Sequence, residues 1–99
     1  MCATTFPGPA GLAASFNRSL WRTKGDIIST EQRAFNNNNL VRGGGAHIAL
    51  TSWGPNINLV RDPRFGRVSE LPSEDPILNG LYAVEFLRGM QGDFPATSR

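Results

Sequence analysis

A dense group of charged side chains follows an alternating apolar run in NINLVRDPRFGRVSELPSED, residues 56–75. If the run is a buried strand, the charges lie beyond its C-terminal end, where ligands gather in α/β folds. An arginine there presents several donors in a fixed fork to sugar hydroxyls, carboxylates or phosphates. Arg67 follows Gly66, which permits close approach, and is therefore the candidate ligand-binding residue.

The same charges also have a structural interpretation. A long loop without backbone pairing needs internal ion pairs, because its polar groups must otherwise be satisfied by water. Most of the charged side chains between residues 61 and 75 are expected to do this. The loop-bracing candidates are Arg61, Asp62, Glu70, Glu74 and Asp75.

Other chemistries are poorly supported. Glu70, Glu74 and Asp75 could supply a general acid and base, but spacing in sequence does not fix the distance between carboxyl groups. His47 is the single histidine and no ligand spacing recurs, so we predict no metal site and no cofactor. We interpret His47 as a strand-edge residue and assign no catalytic residue.

Composition excludes several partner classes. The chain has 99 residues, a net charge of +2 and one cysteine, Cys2. Without a basic tract we predict no nucleic-acid partner, even through Arg61, Arg64 and Arg67. No apolar stretch is long enough to span a membrane and the first residues lack signal-peptide features, so no membrane partner is predicted.

Apolar spacing and turn residues predict the elements. We expect a brief strand near Leu12–Ala14, a strand near residues 48–51 and an extended segment over residues 57–60. A first helix follows Asn17 as N-cap, with Phe16 as a hydrophobic staple, and ends within Asn36–Asn39. Residues 36–45 are predicted to form a flexible Asn/Gly-rich loop.

A second helix has clear boundary signals. Asp75 is its predicted N-cap, Pro76 its first residue, and Gly92 follows its end. The predicted buried stripe consists of Leu78, Leu81, Val84, Leu87 and either Met90 or Gln91. The alternation predicts an α/β fold of about two βα units, part of a (β/α)8 TIM-type barrel, which needs about 250 residues.

The longest motif carries a family resemblance. SWGPNINLVRDPRFGRVSELPSEDP resembles the FWxPNINxxRDPRWGRxxExPxEDP segment of glycoside hydrolase family 3, most closely its β-xylosidase branch. TTFPGPAGLAASFN, STEQRAFNN and GLYAVEFLRGMQG resemble the flanking TSFPQPxxxAASFN, GTEARAxNN and a helix ending in RGLQG. The resemblance covers nearly the whole chain.

The resemblance implies a function for the loop. Family 3 enzymes hydrolyse β-linked sugars from non-reducing ends with retention, using a (β/α)8-type N-terminal domain. Arg67 matches the arginine that contacts hydroxyls of the terminal sugar. The implied substrate is a β-linked or xylan-derived oligosaccharide, and the implied setting is extracellular or the cell wall.

Departures from the family pattern limit what the chain is expected to do alone. Phe65 replaces a tryptophan and loses the indole donor, and Ser73 stands where glycine is common. The family's aspartate nucleophile and acid/base glutamate lie in later motifs that this sequence lacks. We therefore expect the 99 residues to be an inactive fragment of such an enzyme. The alternative is a non-catalytic carbohydrate-binding or interaction module derived by truncation.

Overall fold

The structure, a computed structural model, describes residues 3–43 and 49–92. Three α-helices account for most of these residues: α1 is Pro9–Ala13, α2 is Arg18–Val41 and α3 is Pro76–Gln91. Two 3-10 turns, Pro63–Phe65 and Val68–Glu70, lie in the connection between α2 and α3.

The predicted α/β class, with its two βα units of a (β/α)8 barrel, is wrong for this structure. No residue within 3–43 or 49–92 belongs to a β-strand. Residues 52–60 carry the apolar alternation but have no regular secondary structure, because alternation makes a strand only when a neighbouring strand satisfies the backbone. Within the described ranges, their backbone bonding across the chain consists of Val60 N–H to the Ser73 carbonyl, at 3.4 Å.

The two other predicted strands also differ. Pro9 stands in the first turn of α1, where its fixed φ favours a helix, and Leu12–Ala13 complete that helix instead of a strand. Of the strand expected near residues 48–51, residue 48 lies outside the described residues and residues 49–51 are bent. His47, interpreted as a strand-edge residue, also lies outside them.

The start of α2 follows the predicted cap but not the predicted staple. The Asn17 side chain accepts a hydrogen bond from the Leu20 N–H at 3.1 Å, which confirms it as N-cap. Phe16 has a φ of 50° and is 74% exposed, so it does not pack as a staple. α2 also continues through the asparagine run to Val41, past the predicted end.

The asparagine run is helical because tertiary contact outweighs propensity. Asparagine is a mediocre helix former, and the run was expected to be a loop. Asn36 is nevertheless buried, at 2% exposure, on the face of α2 that packs inward. Of the predicted loop 36–45, residues 36–41 are helical, Arg42 and Gly43 form a turn, and residues 44 and 45 lie outside the described residues.

The boundaries of α3 are as predicted, and its buried face is so in part. Asp75 accepts from the Leu78 N–H at 2.7 Å, Pro76 begins the helix, and Gly92 follows it with a φ of 76°. The predicted stripe is correct in part: Leu78, Leu81 and Met90 are partly buried and pack against the core, whereas Val84 is 47% exposed and Gln91 is exposed. The buried residues are Asn79, Tyr82, Ala83, Phe86 and Gly89.

The core lies where α1 and α3 pack on α2. Trp21, 1% exposed, donates its indole N–H to the Leu12 carbonyl at 2.6 Å. Its ring lies 5.6 Å from that of Tyr82, which lies 5.9 Å from that of Phe86, measured between centroids. This aromatic row joins α2 to α3, and the Trp21 indole bond joins α1 to them.

Two glycines set the crossing of α2 and α3. A Cβ atom on Gly25 would lie 2.3 Å from the Phe86 carbonyl oxygen, and one on Gly89 would lie 2.1 Å from the Arg22 carbonyl oxygen. Both distances are impossible for a real side chain, so the helices touch backbone to backbone.

Membrane insertion finds no support in these helices. Within residues 3–43 and 49–92, no helix combines the length and apolar character needed to cross a bilayer.

Candidate functional site

The charged loop, residues 61–74, is closed at its base by Asn79 of α3. Asn79 is 3% exposed and donates its side-chain N–H groups to the carbonyls of Asn58 at 3.1 Å and Ser73 at 3.2 Å. Val60 N–H also bonds the Ser73 carbonyl. The two ends of the loop are thus held together, and the loop projects from α3 as one unit.

The first half of the loop is organised by Asp62. Its carboxylate accepts the Arg64 backbone N–H at 2.9 Å and so caps the turn Pro63–Phe65. The same carboxylate accepts the Arg64 guanidinium through Nε at 3.0 Å and Nη2 at 2.6 Å. Hydrogen bonds from Arg64 lower the pKa of Asp62, which therefore stays ionised at neutral pH.

The second half is organised by three side chains that we call the Arg67 cluster: Asn56, Arg67 and Glu70. The Arg67 Nε and Nη2 groups donate to the two Glu70 oxygens at 2.7 and 2.8 Å, a bidentate geometry. Asn56 donates to Glu70 at 3.2 Å. The Arg67 guanidinium first, and then Asn56, lower the pKa of Glu70, while Glu70 raises that of Arg67.

A groove of about 280 Å³ opens beside this cluster. Its wall combines amide groups, guanidinium groups and apolar side chains, an arrangement suited to a polyhydroxylated ligand. Arg61 makes no ion pair within the described ranges, and Arg67 keeps its Nη1 group without a partner there. The lining residues are Asn56, Asn58, Leu59, Arg61, Asp62, Phe65, Arg67 and Leu71.

The structure brings some of the sequence candidates together and separates others. Arg61, Asp62 and Arg67 share the groove, and Glu70 holds Arg67 from outside it. Glu74 is exposed, and Asp75 is committed to the N-terminus of α3. The candidate acid/base trio Glu70, Glu74 and Asp75 therefore does not form one site.

Sequence reasoning missed the residues that frame the groove. Asn56 and Asn58 supply its amides, and Leu59 and Leu71 its apolar floor. Asn79 was missed as well, although one signal was available: a polar residue four positions after the cap, among apolar helix positions. Such a side chain, when buried, needs hydrogen-bond partners.

No metal centre is suggested by the part of the chain that the structure describes. Within residues 3–43 and 49–92, no three His, Cys, Asp or Glu side chains converge as ligands. The two carboxylates nearest the groove, Asp62 and Glu70, are already bound by arginines. Their lowered pKa values make them unsuitable as general acids at neutral pH.

Sequence comparison relates the chain to curated enzymes. It is 50% identical over 90 residues to Beta-D-xylosidase 1 of Arabidopsis thaliana, which covers 91% of the chain. It is 49% identical over 89 residues to Beta-xylosidase/alpha-L-arabinofuranosidase 2 of Medicago sativa subsp. varia, which covers 90% of it. Xylan 1,4-beta-xylosidase of Xylanibacter ruminicola is 42% identical, over 97% of the chain.

The match covers a small part of those proteins. The chain spans 11% of the length of both plant relatives and 12% of the bacterial one. No protein-family model matches the chain, and no solved structure matches it.

Proposed function

Because this chain belongs to the β-xylosidase family, as a segment matching about a tenth of its relatives' length, we propose that it forms part of a retaining, exo-acting β-glycosidase of glycoside hydrolase family 3. Its role in that enzyme is to bind sugar, since the segment carries no catalytic carboxylate. The observation that carries the proposal is the 42–50% identity, over nine-tenths of the chain, to proteins named β-xylosidases.

Within that function, Arg67 is the proposed sugar ligand. Glu70 occupies the Nε and Nη2 edge of its guanidinium, which fixes the plane of the fork. The remaining Nη1 donors are then oriented before a ligand arrives, and preorganised donors lose less entropy on binding. Asp62, Glu70 and Asn79 support this arrangement by bracing the loop or its base, whereas Arg61 lines the groove.

The proposed substrate is a β-linked oligosaccharide derived from xylan. Two observations support this choice: the names of the relatives, and a groove wall rich in side-chain amides and guanidinium groups. Hydroxyl groups of a pentose both donate and accept hydrogen bonds, which matches amides that do the same.

The test is to capture the native polypeptide from source extract with an antibody to residues 61–67 and assay it on aryl β-xylosides. We expect a band several times the calculated 10.8 kDa, with hydrolase activity that competing RDPRFGR peptide removes. A band at the calculated mass without activity would overturn the proposal. The purified 99-residue chain serves as a control and should be inactive, because retaining hydrolysis requires two positioned carboxyl groups.

A second candidate is a non-catalytic carbohydrate-binding module. The observation favouring it is the groove of about 280 Å³, which combines side-chain amides, guanidinium groups and apolar side chains without a catalytic residue being required. Such a module would unfold cooperatively, and xylo-oligosaccharides would raise its Tm through ligand linkage. If the Tm of the chain does not change when these sugars are added, this second candidate is excluded.

A further inference from the structure

Lys24 is a buried amine that the proposed sugar groove does not use. It lies on α2 and is 9% exposed. Its Nζ atom lies 5.8 Å from the ring centroid of Phe6 and 5.7 Å from that of Phe86. The Tyr82 hydroxyl, 3.5 Å away, is its hydrogen-bond partner. No carboxylate lies within ion-pair distance of it among the described residues, which is unusual for a buried lysine.

The surroundings of Lys24 favour its neutral form. Desolvation lowers its pKa, because an ammonium group loses hydration that aromatic rings replace incompletely. The rings of Phe6 and Phe86 offset part of this loss through cation–π attraction. Burial also raises the pKa of Tyr82, so its hydroxyl keeps its proton. The shift enlarges the fraction of neutral amine, the nucleophilic form, at a given pH.

Lys24 also lines a cavity of about 460 Å³. This cavity is separate from the sugar groove, although Asn56 lines both. Trp53, whose side chain is fully exposed, lies at this cavity, as do Ser52, Ser69 and Glu70. Glu70 is the other charged residue that lines this cavity, and its charge is partly balanced by Arg67.

This combination selects one ligand chemistry. An anionic ligand would meet the Glu70 carboxylate, whereas an uncharged carbonyl compound would not. The hydroxyl and amide groups of Ser52, Asn56 and Ser69 suit a ligand that carries hydroxyls next to its carbonyl group. We propose that Lys24 is a reactive-amine site that takes small hydroxyaldehydes, the class that includes open-chain sugars, as reversible imines.

The reaction is balanced without any further reactant. The Nζ lone pair attacks the carbonyl carbon, and the carbonyl oxygen becomes the hydroxyl of a carbinolamine. That hydroxyl leaves as water with a proton from nitrogen, and a carbon–nitrogen double bond forms. Water reverses the step, so the imine persists while aldehyde is present. The inference does not depend on the proposed glycosidase function.

The sequence makes the test clean, because Lys24 is its single lysine. The chain is incubated near pH 7 with glycolaldehyde and cyanoborohydride, which reduces an imine to a stable 2-hydroxyethyl amine. Trypsin does not cleave after a modified lysine, so the product is the peptide of residues 23–33 with one added group. Reaction at the α-amino group appears in a different peptide.

The comparison is with the same chain unfolded in urea and with N-acetyl-lysine amide in the same tube. We expect Lys24 of the folded chain to be labelled several-fold faster than both references. The labelling rate should rise with pH, and the midpoint of that rise should lie at a lower pH than for either reference. Labelling no faster than in urea overturns the proposal. Lys24→Arg, which retains the cation, should abolish the label on residues 23–33 while its melt reports whether the fold persists.

Discussion

The guanidinium of Arg67 and the carboxylate of Glu70 are joined by two near-parallel hydrogen bonds, at 2.7 and 2.8 Å. The two residues are three positions apart in the sequence, and the turn Val68–Glu70 lies between Arg67 and the end of the pair at Glu70. Both side chains are substantially exposed, so the pair adds little to stability. Its consequence is orientation, because the arginine that borders the groove is held at its Nε and Nη2 edge, while its Nη1 group makes no hydrogen bond within the described residues.

This relationship predicts the effect of Arg67→Ala on catalysis. The matched segment of Beta-D-xylosidase 1 is replaced by this chain, and aryl β-xyloside hydrolysis is measured. Losing a charge-assisted hydrogen bond to the sugar should lower kcat/KM roughly thirtyfold, which corresponds to about 2 kcal/mol of transition-state stabilisation. Arg64→Ala is the control, since Arg64 lies outside the groove and its side chain is 89% exposed. An equal decrease in kcat/KM in the two variants would show that Arg67 is not a sugar ligand.

The crossing of α2 and α3 predicts that alanine lowers the free energy of unfolding at two glycines and raises it at a third. Gly25→Ala and Gly89→Ala place a methyl group against backbone atoms of the facing helix and should each lower the free energy of unfolding by about 2 kcal/mol or more. Gly80→Ala, with nothing within 4 Å of its Cβ position, should instead raise it by up to about 1 kcal/mol. Urea unfolding measures all three. Stabilisation by Gly89→Ala would mean that the helices do not touch there.

Asn79→Ala should loosen the charged loop. The substitution leaves the carbonyls of Asn58 and Ser73 without their shared donor, at a cost of about 1–3 kcal/mol. Hydrogen exchange at the Val60 amide, which bonds Ser73, should accelerate. Asn37→Ala is the matched control, because it makes the same change at an exposed position of α2. Unchanged exchange at Val60 would show that the loop base is held by other contacts.

Acid should destabilise the chain slightly through three exposed carboxylates, because exposed ion pairs each contribute little. Hydrogen bonds from Arg67, Arg64 and Thr4 lower the pKa values of Glu70, Asp62 and Glu31 below their usual 4.5, 3.8 and 4.5. A lowered folded-state pKa means that the stabilisation is complete above the unfolded value and is lost as pH falls through the folded one. Tm should therefore decline below about pH 4.5. A variant with Glu70→Gln and Asp62→Asn should show a shallower decline, and an equally steep one would contradict this origin.

Lys24→Met should stabilise the fold at neutral pH. Burial lowers the pKa of Lys24, so between the folded and unfolded values the unfolded chain binds more protons and stability rises with pH. Methionine does not titrate, so it removes this pH dependence, and its side chain packs in the same space beside the rings of Phe6 and Phe86. The stability difference should be largest near neutral pH and shrink towards the usual lysine pKa of 10.5. Thermal melts across that range measure it, and a difference independent of pH would contradict desolvation as the cause.

The start of α2 and both ends of α3 could be read from sequence because their signals are local. Asn17 and Asp75 each bond an N–H three residues onward, and Pro76 and Gly92 act through their own backbone angles. No distant residue is needed to complete these interactions. The same holds for the charged loop, whose Asp62–Arg64 and Arg67–Glu70 pairs lie within three residues, although sequence alone did not say which charges would pair.

Sequence by itself also determined the family, because a long motif retains its residue order whatever the surrounding fold. The tertiary structure decided the rest. Tyr82 and Phe86 are more deeply buried than Leu81 and Val84 because α2 lies on that side of α3. The alternation at residues 57–60 did not become a strand, because a strand exists only when another one pairs with it. Burial and pairing depend on what lies opposite a residue in space, and spacing along the chain does not specify that.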